Sequence, residues 1–125
     1  MTVLSESAVE YLLAFADDEH LMGQRYTEWI GVAPFLEEDL ALASIGQDEL
    51  GHAAMLYAIV AGDDDSAIDR LALLRDADDY RSSWLVEAEL PGWEHTLVRH
   101  WLYDAAEELR WELVSGSTVP GLAAA

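Results

Sequence analysis

The chain has 125 residues, 52% of them hydrophobic, and it contains 25 acidic side chains, six arginines, no lysine and no cysteine. This composition favours one compact domain and excludes a disordered chain, a disulfide scaffold and any site that depends on a thiolate. A net charge of −19 excludes nucleic acid as a partner, because a nucleic-acid binder neutralises phosphates with basic side chains.

Two further features predict where the protein works. No apolar run approaches the roughly 20 residues that a membrane-spanning helix needs, and the N-terminal residues lack the basic start of a secretory signal. We therefore expect a soluble cytoplasmic protein that does not bind membranes. Its acidic, lysine-free surface suits either a high-salt cytoplasm or a basic partner surface, and composition does not separate the two.

The first half of the chain predicts two long helices. The first covers residues 7–30 and opens with the capping-box pattern of Ser7 and Glu10. The second covers residues 35–61, with acidic residues in its first turn and Gly62 as its stop.

The second half predicts one more long helix. After an acidic turn, a short helix is expected around residues 67–75, followed by a less regular stretch over residues 76–90. We expect that stretch to cross the end of the bundle with three apolar residues tucked under it, namely Trp84, Leu85 and Val86. A long helix then covers residues 93–114, and residues 122–125 look like the beginning of another helix.

No segment alternates apolar and polar residues as a half-buried strand does, so the sequence predicts an all-α protein. Three long helices joined by one short turn and one long crossover are typical of a helical bundle that is one helix short of four. We therefore expect residues 1–125 to form a single, incomplete domain. Two explanations remain open: the chain is a fragment of a four-helix domain, or it completes its bundle by association.

Each long helix carries an acid on its otherwise apolar face. Steps of three or four residues along the first two helices give apolar stripes interrupted by Glu19 and by Glu49 with His52. On the third long helix the predicted inward stripe is Leu97, Trp101, Asp104, Glu108 and Trp111. An ionised carboxylate in an apolar interior needs a cation, a metal or good hydrogen bonds, so three coinciding cases predict a shared site.

Glu49 and His52 have the Glu-x-x-His spacing, which puts a carboxylate and an imidazole one turn apart on the same side of a helix. Ferritin-like bundles build carboxylate-bridged diiron sites from such a pair and a lone Glu on the neighbouring helix. The lone Glu here would be Glu19. The third long helix would contribute Asp104, or one of the adjacent acids, Glu107 or Glu108.

The spacing alone is a weak signal. The chain has 13 glutamates and four histidines, so one Glu-x-x-His pair arises readily by chance, and Glu49 could equally belong to a solvated face. Gly23 and Gly51 favour the metal interpretation, because glycine inside a helix is unfavourable unless two helices approach closely.

Several segments, in fixed order, resemble the phenylacetic acid catabolic family. They comprise residues 11–18, 23–29, 34–42, 74–76, 80–81, 85–87, 96–99 and 103–105. The likeness covers nearly the whole chain and is greatest to the ferritin-like structural-subunit branch of that family. It implies a ferritin-like helical bundle and a part in a multicomponent monooxygenase that epoxidises the aromatic ring of phenylacetyl-CoA.

The resemblance also implies partners and a cofactor. A homologous ferritin-like catalytic subunit would pair with this chain, unless the chain self-associates, and a reductase component would supply electrons. Structural subunits generally lack the metal ligands, but Glu19, Glu49 and His52 match the catalytic pattern instead. In a diiron site Glu19 and Asp104 would be terminal ligands, Glu49 would bridge the irons and His52 would bind one of them.

Two other functions remain open at this stage. The chain could be a metal-free helical scaffold that docks a catalytic partner, or a small ferritin-like metal-binding homodimer without a role in aromatic catabolism. For the phosphates of coenzyme A, the sequence offers only Arg25 and Arg99 as candidates.

Overall fold

The fold is described by a computed structural model that covers residues 3–62 and 64–123. In these ranges the chain forms five α-helices and no β-strand. They are α1 (Glu6–Thr27), α2 (Leu36–Ala61), α3 (Asp65–Leu73), α4 (Trp84–Glu87) and α5 (Trp93–Val114), with a 3-10 turn at Ala77–Asp79. The all-α prediction is confirmed, and α1, α2 and α5 are the three long helices. No described helix is long and apolar enough to cross a membrane.

The helix ends differ slightly from the predicted ones. Ser5 rather than Ser7 caps α1, because the Ser5 hydroxyl accepts a hydrogen bond from the backbone N–H of Ala8 at 3.2 Å. Gly62 ends α2 with φ of 78°, a left-handed conformation that glycine adopts without steric cost.

The predicted helix at the C-terminus is not seen in the described residues. Residues 119–123 form turns that pack Leu122 into the core. Ala124 and Ala125, which belonged to that prediction, lie outside the described residues, and so does Asp63 of the predicted acidic turn.

Helices α1 and α2 pack most closely at Gly23 and Gly46. A Cβ atom on Gly46 would lie 2.9 Å from Cβ of Tyr26 and 3.2 Å from the carbonyl oxygen of Gly23. Gly23 was expected at such a contact, but the same expectation for Gly51 is wrong, because a Cβ there would meet no atom within 4 Å. The close approach brings the acids of α1 and α2 within reach of each other.

The crossover between α3 and α5 is tied to α1 by two buried carboxylates. Asp17 accepts hydrogen bonds from the guanidinium of Arg75, from the backbone N–H of Arg81 at 2.8 Å and from the hydroxyl of Tyr57 at 2.5 Å. Asp18 accepts from the backbone N–H of Ser83 at 2.6 Å. These bonds satisfy polar groups that would otherwise be costly to bury.

Only part of the predicted packing under the crossover is observed. Val86 on α4 is fully buried, whereas Trp84 is 89% exposed and Leu85 is also exposed. The expectation for Trp84 is therefore wrong, because the single turn of α4 directs only one of its apolar side chains inward.

The inward face of α5 differs from the predicted stripe. Buried positions are Thr96, Arg99, His100, Tyr103 and Val114, while Trp101 is 69% exposed and Glu108 is exposed. Apolar residues occur on both sides of α5, so periodicity alone does not select the buried side. Hydrogen bonds made by the polar residues toward α1 and α4 select it instead.

Two apolar clusters fill the interior at different heights. The first comprises Leu12, Phe15, Ala16, Ala53, Leu56, Tyr57, Val114 and Leu122. The second comprises Met22, Tyr26, Leu42, Val86 and Tyr103. Between these clusters along α1 and α2 lie Glu19 and Glu49, so a polar layer is enclosed by apolar packing above and below.

Candidate metal centre

The polar layer contains four side chains from the three long helices. Glu19 comes from α1, Glu49 and His52 from α2, and Glu107 from α5, and one ligand atom of each lies within 4.8 Å of all the others. We call these four residues the four-residue site. The short connection between α1 and α2 makes them antiparallel, which puts Glu19 and Glu49 at the same height.

The ligand atoms in this site are buried and lack hydrogen-bond partners. One oxygen of each glutamate (Oε1 of Glu19, Oε2 of Glu49 and Oε2 of Glu107) and Nδ1 of His52 are inaccessible to solvent and unpaired in the described part of the chain. Glu19 has no exposed surface, whereas the side chain of His52 is 40% exposed. Buried polar atoms normally find partners, and four unpaired ones close together form a group that could hold a metal ion.

Neighbouring aromatic residues contact two side chains of the four-residue site. The Tyr103 hydroxyl donates a hydrogen bond to Oε2 of Glu19 at 2.7 Å, which leaves Oε1 directed into the site. The indole of Trp111 packs edge-on against the His52 ring with 5.1 Å between the ring centroids. Nδ1 of His52 lies 3.6 Å from Oε1 of Glu19 and 4.0 Å from Oε2 of Glu49.

The protonation of the site compensates in part for its negative charge. Burial raises the pKa of Glu49 and of Glu107, and the adjacent Glu19 carboxylate raises both further. Burial also disfavours ionisation of Glu19, but contacts with His52, Glu49, Glu107 and Tyr103 outweigh it and lower its pKa. The Glu19 carboxylate in turn raises the pKa of His52. Without a cation, the site therefore holds one ionised carboxylate beside groups that retain protons.

The donor set fits a divalent transition metal. Carboxylate oxygens and one imidazole nitrogen are the ligands that iron and manganese take in carboxylate-rich bundles. Metal–ligand bonds of about 2.0–2.2 Å put ligand atoms on opposite sides of an ion about 4 Å apart. The 4.8 Å limit on the separations within the four-residue site is close to that spacing.

Three of the four sequence-predicted ligands meet in this site, and the fourth lies elsewhere. Asp104 is outside the group, since the hydroxyl of Tyr26 donates to its carboxylate with O–O distances of 2.7 and 2.8 Å. Glu107 supplies the acid from α5 instead. Glu107 lies one turn beyond Tyr103 on the same face, so the correct register of α5 would have selected it.

The two arginines considered for phosphate binding have other partners. Arg25 donates to the backbone carbonyls of Val86 and Glu87 at 3.0 and 2.7 Å, and it pairs with Glu28. Arg99 is buried and donates to the carbonyl of Ala88 at 2.8 Å. Both side chains thus hold the C-terminal end of α4 in place.

An all-α bundle whose Glu-x-x-His pair faces carboxylates of two neighbouring helices belongs to the ferritin-like class. The family model described as phenylacetic acid catabolic protein matches residues 2–125, and the chain belongs to this family. It is 38% identical over 117 residues to a subunit of the 1,2-phenylacetyl-CoA epoxidase of Escherichia coli (strain K12). The alignment covers 91% of this chain and 46% of that relative, so the chain spans about half the length of the curated protein it matches.

Proposed function

We propose that the chain is a subunit of a multicomponent monooxygenase of the phenylacetyl-CoA epoxidase type, and that the four-residue site holds iron. The observation that carries the proposal is the convergence of four unpaired ligand atoms in a buried layer. Family membership and the identity with the E. coli protein support the oxygenase assignment. Glu107 rather than Asp104 is the proposed ligand from α5, because Asp104 is engaged by Tyr26.

The ligand set of this chain is a partial diiron set. Ferritin-like diiron sites take one Glu from each of two helices and a Glu-x-x-His pair from each of two others. Glu19 and Glu107 correspond to the single acids, and Glu49 with His52 corresponds to one pair. The described residues contain no second pair, so we assign it to a helix outside them, on a longer form of this chain or on a homologous ferritin-like partner.

Iron held here would supply the activation of dioxygen, with electrons from a reductase component and phenylacetyl-CoA as the substrate of the cytoplasmic complex. The residues of this chain contribute binding and exclusion of water. Glu19, Glu49 and Glu107 would hold the cation as carboxylates, and Glu49 and Glu107 would release their protons on binding it. The apolar clusters on both sides of the polar layer keep bulk water away from it.

The outward face of α5 is the surface that we assign to the partner. It exposes a line of apolar side chains, namely Val98, Trp101, Leu102, Leu109 and Leu113. Exposed acids accompany the line at Glu94, Glu108 and Glu112. Two copies of this face would bring like charges together, so a different helical partner with basic residues around its apolar surface fits better than self-association.

The same face supports a second candidate function, a metal-free scaffold that docks a catalytic subunit. The resemblance to the structural-subunit branch is consistent with it. A scaffold needs the α5 surface but not the four-residue site. The two functions therefore predict different effects for substitutions at these two places.

The test is reconstitution of the complex from this chain, the homologous catalytic subunit of the same source and the reductase. We expect oxygen consumption and epoxide formation that depend on phenylacetyl-CoA. A Glu107→Ala change should abolish turnover and iron binding by this chain, whereas Glu108→Ala, at the exposed neighbouring position, should affect neither. Asp104→Asn should leave iron bound.

The variants also separate the candidates. Full activity of the Glu107→Ala complex, together with loss of assembly on a Trp101→Glu change, would favour the scaffold. A stable homodimer that binds iron without partners would favour the small metal-binding protein. Absence of phenylacetyl-CoA oxidation in the assembled complex would contradict the oxygenase assignment.

A further inference from the structure

Two tyrosine–carboxylate hydrogen bonds, one buried and one partly buried, connect α1 and α5 in opposite directions. Tyr103 on α5 donates to Glu19 on α1 at 2.7 Å, and Tyr26 on α1 donates to Asp104 on α5 at 2.7 Å. Both tyrosines are buried. The bonds resemble each other in chemistry, length and the helices they join, but only one of them ends on a residue of the four-residue site.

The two carboxylate oxygens of Glu19 have different surroundings. Its Oε2 accepts the hydrogen bond from Tyr103, while its Oε1 is buried without a hydrogen-bond partner and faces Nδ1 of His52. The bond to Oε2 therefore fixes the plane of the carboxylate and determines which oxygen points into the site. Glu19 has no exposed surface, so no water can replace this donor from bulk solvent.

We infer that Tyr103 is a positioning residue for the metal, acting through Glu19. This inference rests on the proposed function, because it requires that the four-residue site binds a cation. Groups that hydrogen-bond to metal ligands orient them, and their removal typically weakens metal binding by about 10- to 100-fold. The position of Tyr103 one turn before Glu107 lets α5 both supply a ligand and orient the ligand from α1.

The competing interpretation is that Tyr103 only ties α5 to α1. Tyr26 provides the matched control, because its bond makes the same tie without touching the four-residue site. A purely structural role predicts that Tyr103→Phe and Tyr26→Phe lower stability similarly and affect the metal similarly. A positioning role predicts that only Tyr103→Phe changes the bound metal.

The experiment is a titration of the metal-free chain with Co²⁺ at constant pH, followed by its visible absorption spectrum. We expect Tyr103→Phe to raise the Kd by about 10- to 100-fold and to change the spectrum, because the coordination by Glu19 is altered. We expect Tyr26→Phe to leave both close to wild type. Equal effects of the two substitutions would overturn the inference while leaving the metal site in place.

A second comparison tests whether Tyr103 acts through Glu19. In a Glu19→Ala chain, Tyr103 has no carboxylate to orient. Replacing Tyr103 in that chain therefore does not leave a buried carboxylate without its hydrogen-bond donor. Adding Tyr103→Phe to the Glu19→Ala chain should then leave its weakened Co²⁺ affinity unchanged. This comparison remains usable if the Tyr103→Phe single variant does not fold. A further loss of affinity would overturn the inference, whereas a wild-type chain that binds no Co²⁺ would overturn the metal proposal and this inference together.

Discussion

Glu107 makes the stability of the metal-free protein depend on pH. Burial, with the nearby Glu19 adding to it, raises the pKa of Glu107 from 4.5 to about 8. A carboxyl group whose pKa is higher in the folded chain than in the unfolded chain stabilises the fold at low pH, and this stabilisation is lost as the pH rises through the folded-state pKa. The raised pKa of Glu49 acts in the same direction.

We therefore expect the thermal unfolding temperature of the metal-free protein to decrease as the pH rises from about 5 to about 8. A Glu107→Gln change should flatten this dependence, and Glu108→Gln at the exposed neighbouring position should not. Thermal unfolding followed by circular dichroism measures both slopes. A saturating divalent metal should reverse this decrease, because it binds the deprotonated ligands. An unchanged pH dependence in the Glu107→Gln variant would contradict the assignment of this dependence to Glu107.

Gly46 and Gly51 provide a matched test of helix packing on α2. A Cβ on Gly46 meets Cβ of Tyr26 and the carbonyl of Gly23, neither of which can move without shifting the backbone. Gly46→Ala should therefore destabilise the protein, since overpacking costs about 1–3 kcal/mol. Gly51→Ala adds a methyl group into open space and should stabilise the helix by up to about 1 kcal/mol. Urea unfolding gives both values, and a stabilising change at Gly46 would refute the close contact.

At the level of single residues, local sequence patterns selected three of the four residues that the structure brings together. Glu-x-x-His identifies Glu49 and His52 through their spacing on one helix, and Glu19 follows from the apolar stripe around it. The predicted stripe of α5 selected Asp104, whereas the structure brings Glu107 to the site, because a different side of α5 is buried. Their difference depends on Tyr26, a residue on another helix that engages Asp104.

Helix α1 is the element that organises the fold, because three consecutive buried acids connect it to the crossover and to the four-residue site. Asp17 and Asp18 bind the crossover, and Glu19 enters the four-residue site. A run of three charged residues in a sequence normally indicates a solvated face. The hydrogen-bond partners that make their burial tolerable lie 40 to 92 residues further along the chain, so local sequence does not reveal them.

An Asp17→Ala change tests this role of α1. It removes the acceptor for Arg75, Arg81 and Tyr57 and leaves the Arg75 guanidinium, whose side chain is 14% exposed, without its carboxylate. Removing one partner of a buried ion pair costs about 3–5 kcal/mol. We therefore expect the free energy of unfolding to decrease by an amount near the lower end of this range. Asp69→Ala on the exposed side of α3 is the control and should be nearly neutral.

Hydrogen exchange locates the effect of that change. The amides of residues 75–83 should exchange faster in the Asp17 variant at temperatures where α1 and α2 remain protected. Equal protection of this segment in the variant and in the wild type would show that the crossover is held by other contacts.

Helix α5 shows why the buried side of an element is harder to predict than its existence. Its start and end were predicted correctly at residues 93 and 114. Its buried face was not predicted correctly, because apolar residues occupy both sides of α5 and the buried side contains Arg99 and His100. Burial lowers the pKa of His100 to about 4, with the charge of Arg99 adding to the shift, so this histidine remains neutral and compatible with the interior.

For the whole molecule, net charge and apolar surface together limit the partners. A charge of −19 opposes contact between two copies, whereas the exposed apolar side of α5 offers a contact surface. The fold class followed from composition and helix periodicity.

We propose that acids on α1, α2 and α5 are buried together because they bind one cation. Anaerobic titration of the metal-free protein with Fe²⁺ tests it most directly, with Asp48→Ala as the control for Glu49→Ala, since Asp48 is the exposed neighbour. We predict that wild type and Asp48→Ala bind Fe²⁺ equally, and that Glu49→Ala weakens binding by more than about tenfold. A wild-type chain that binds no Fe²⁺, or a Glu49 variant that binds it as tightly as the Asp48 variant, would contradict the claim.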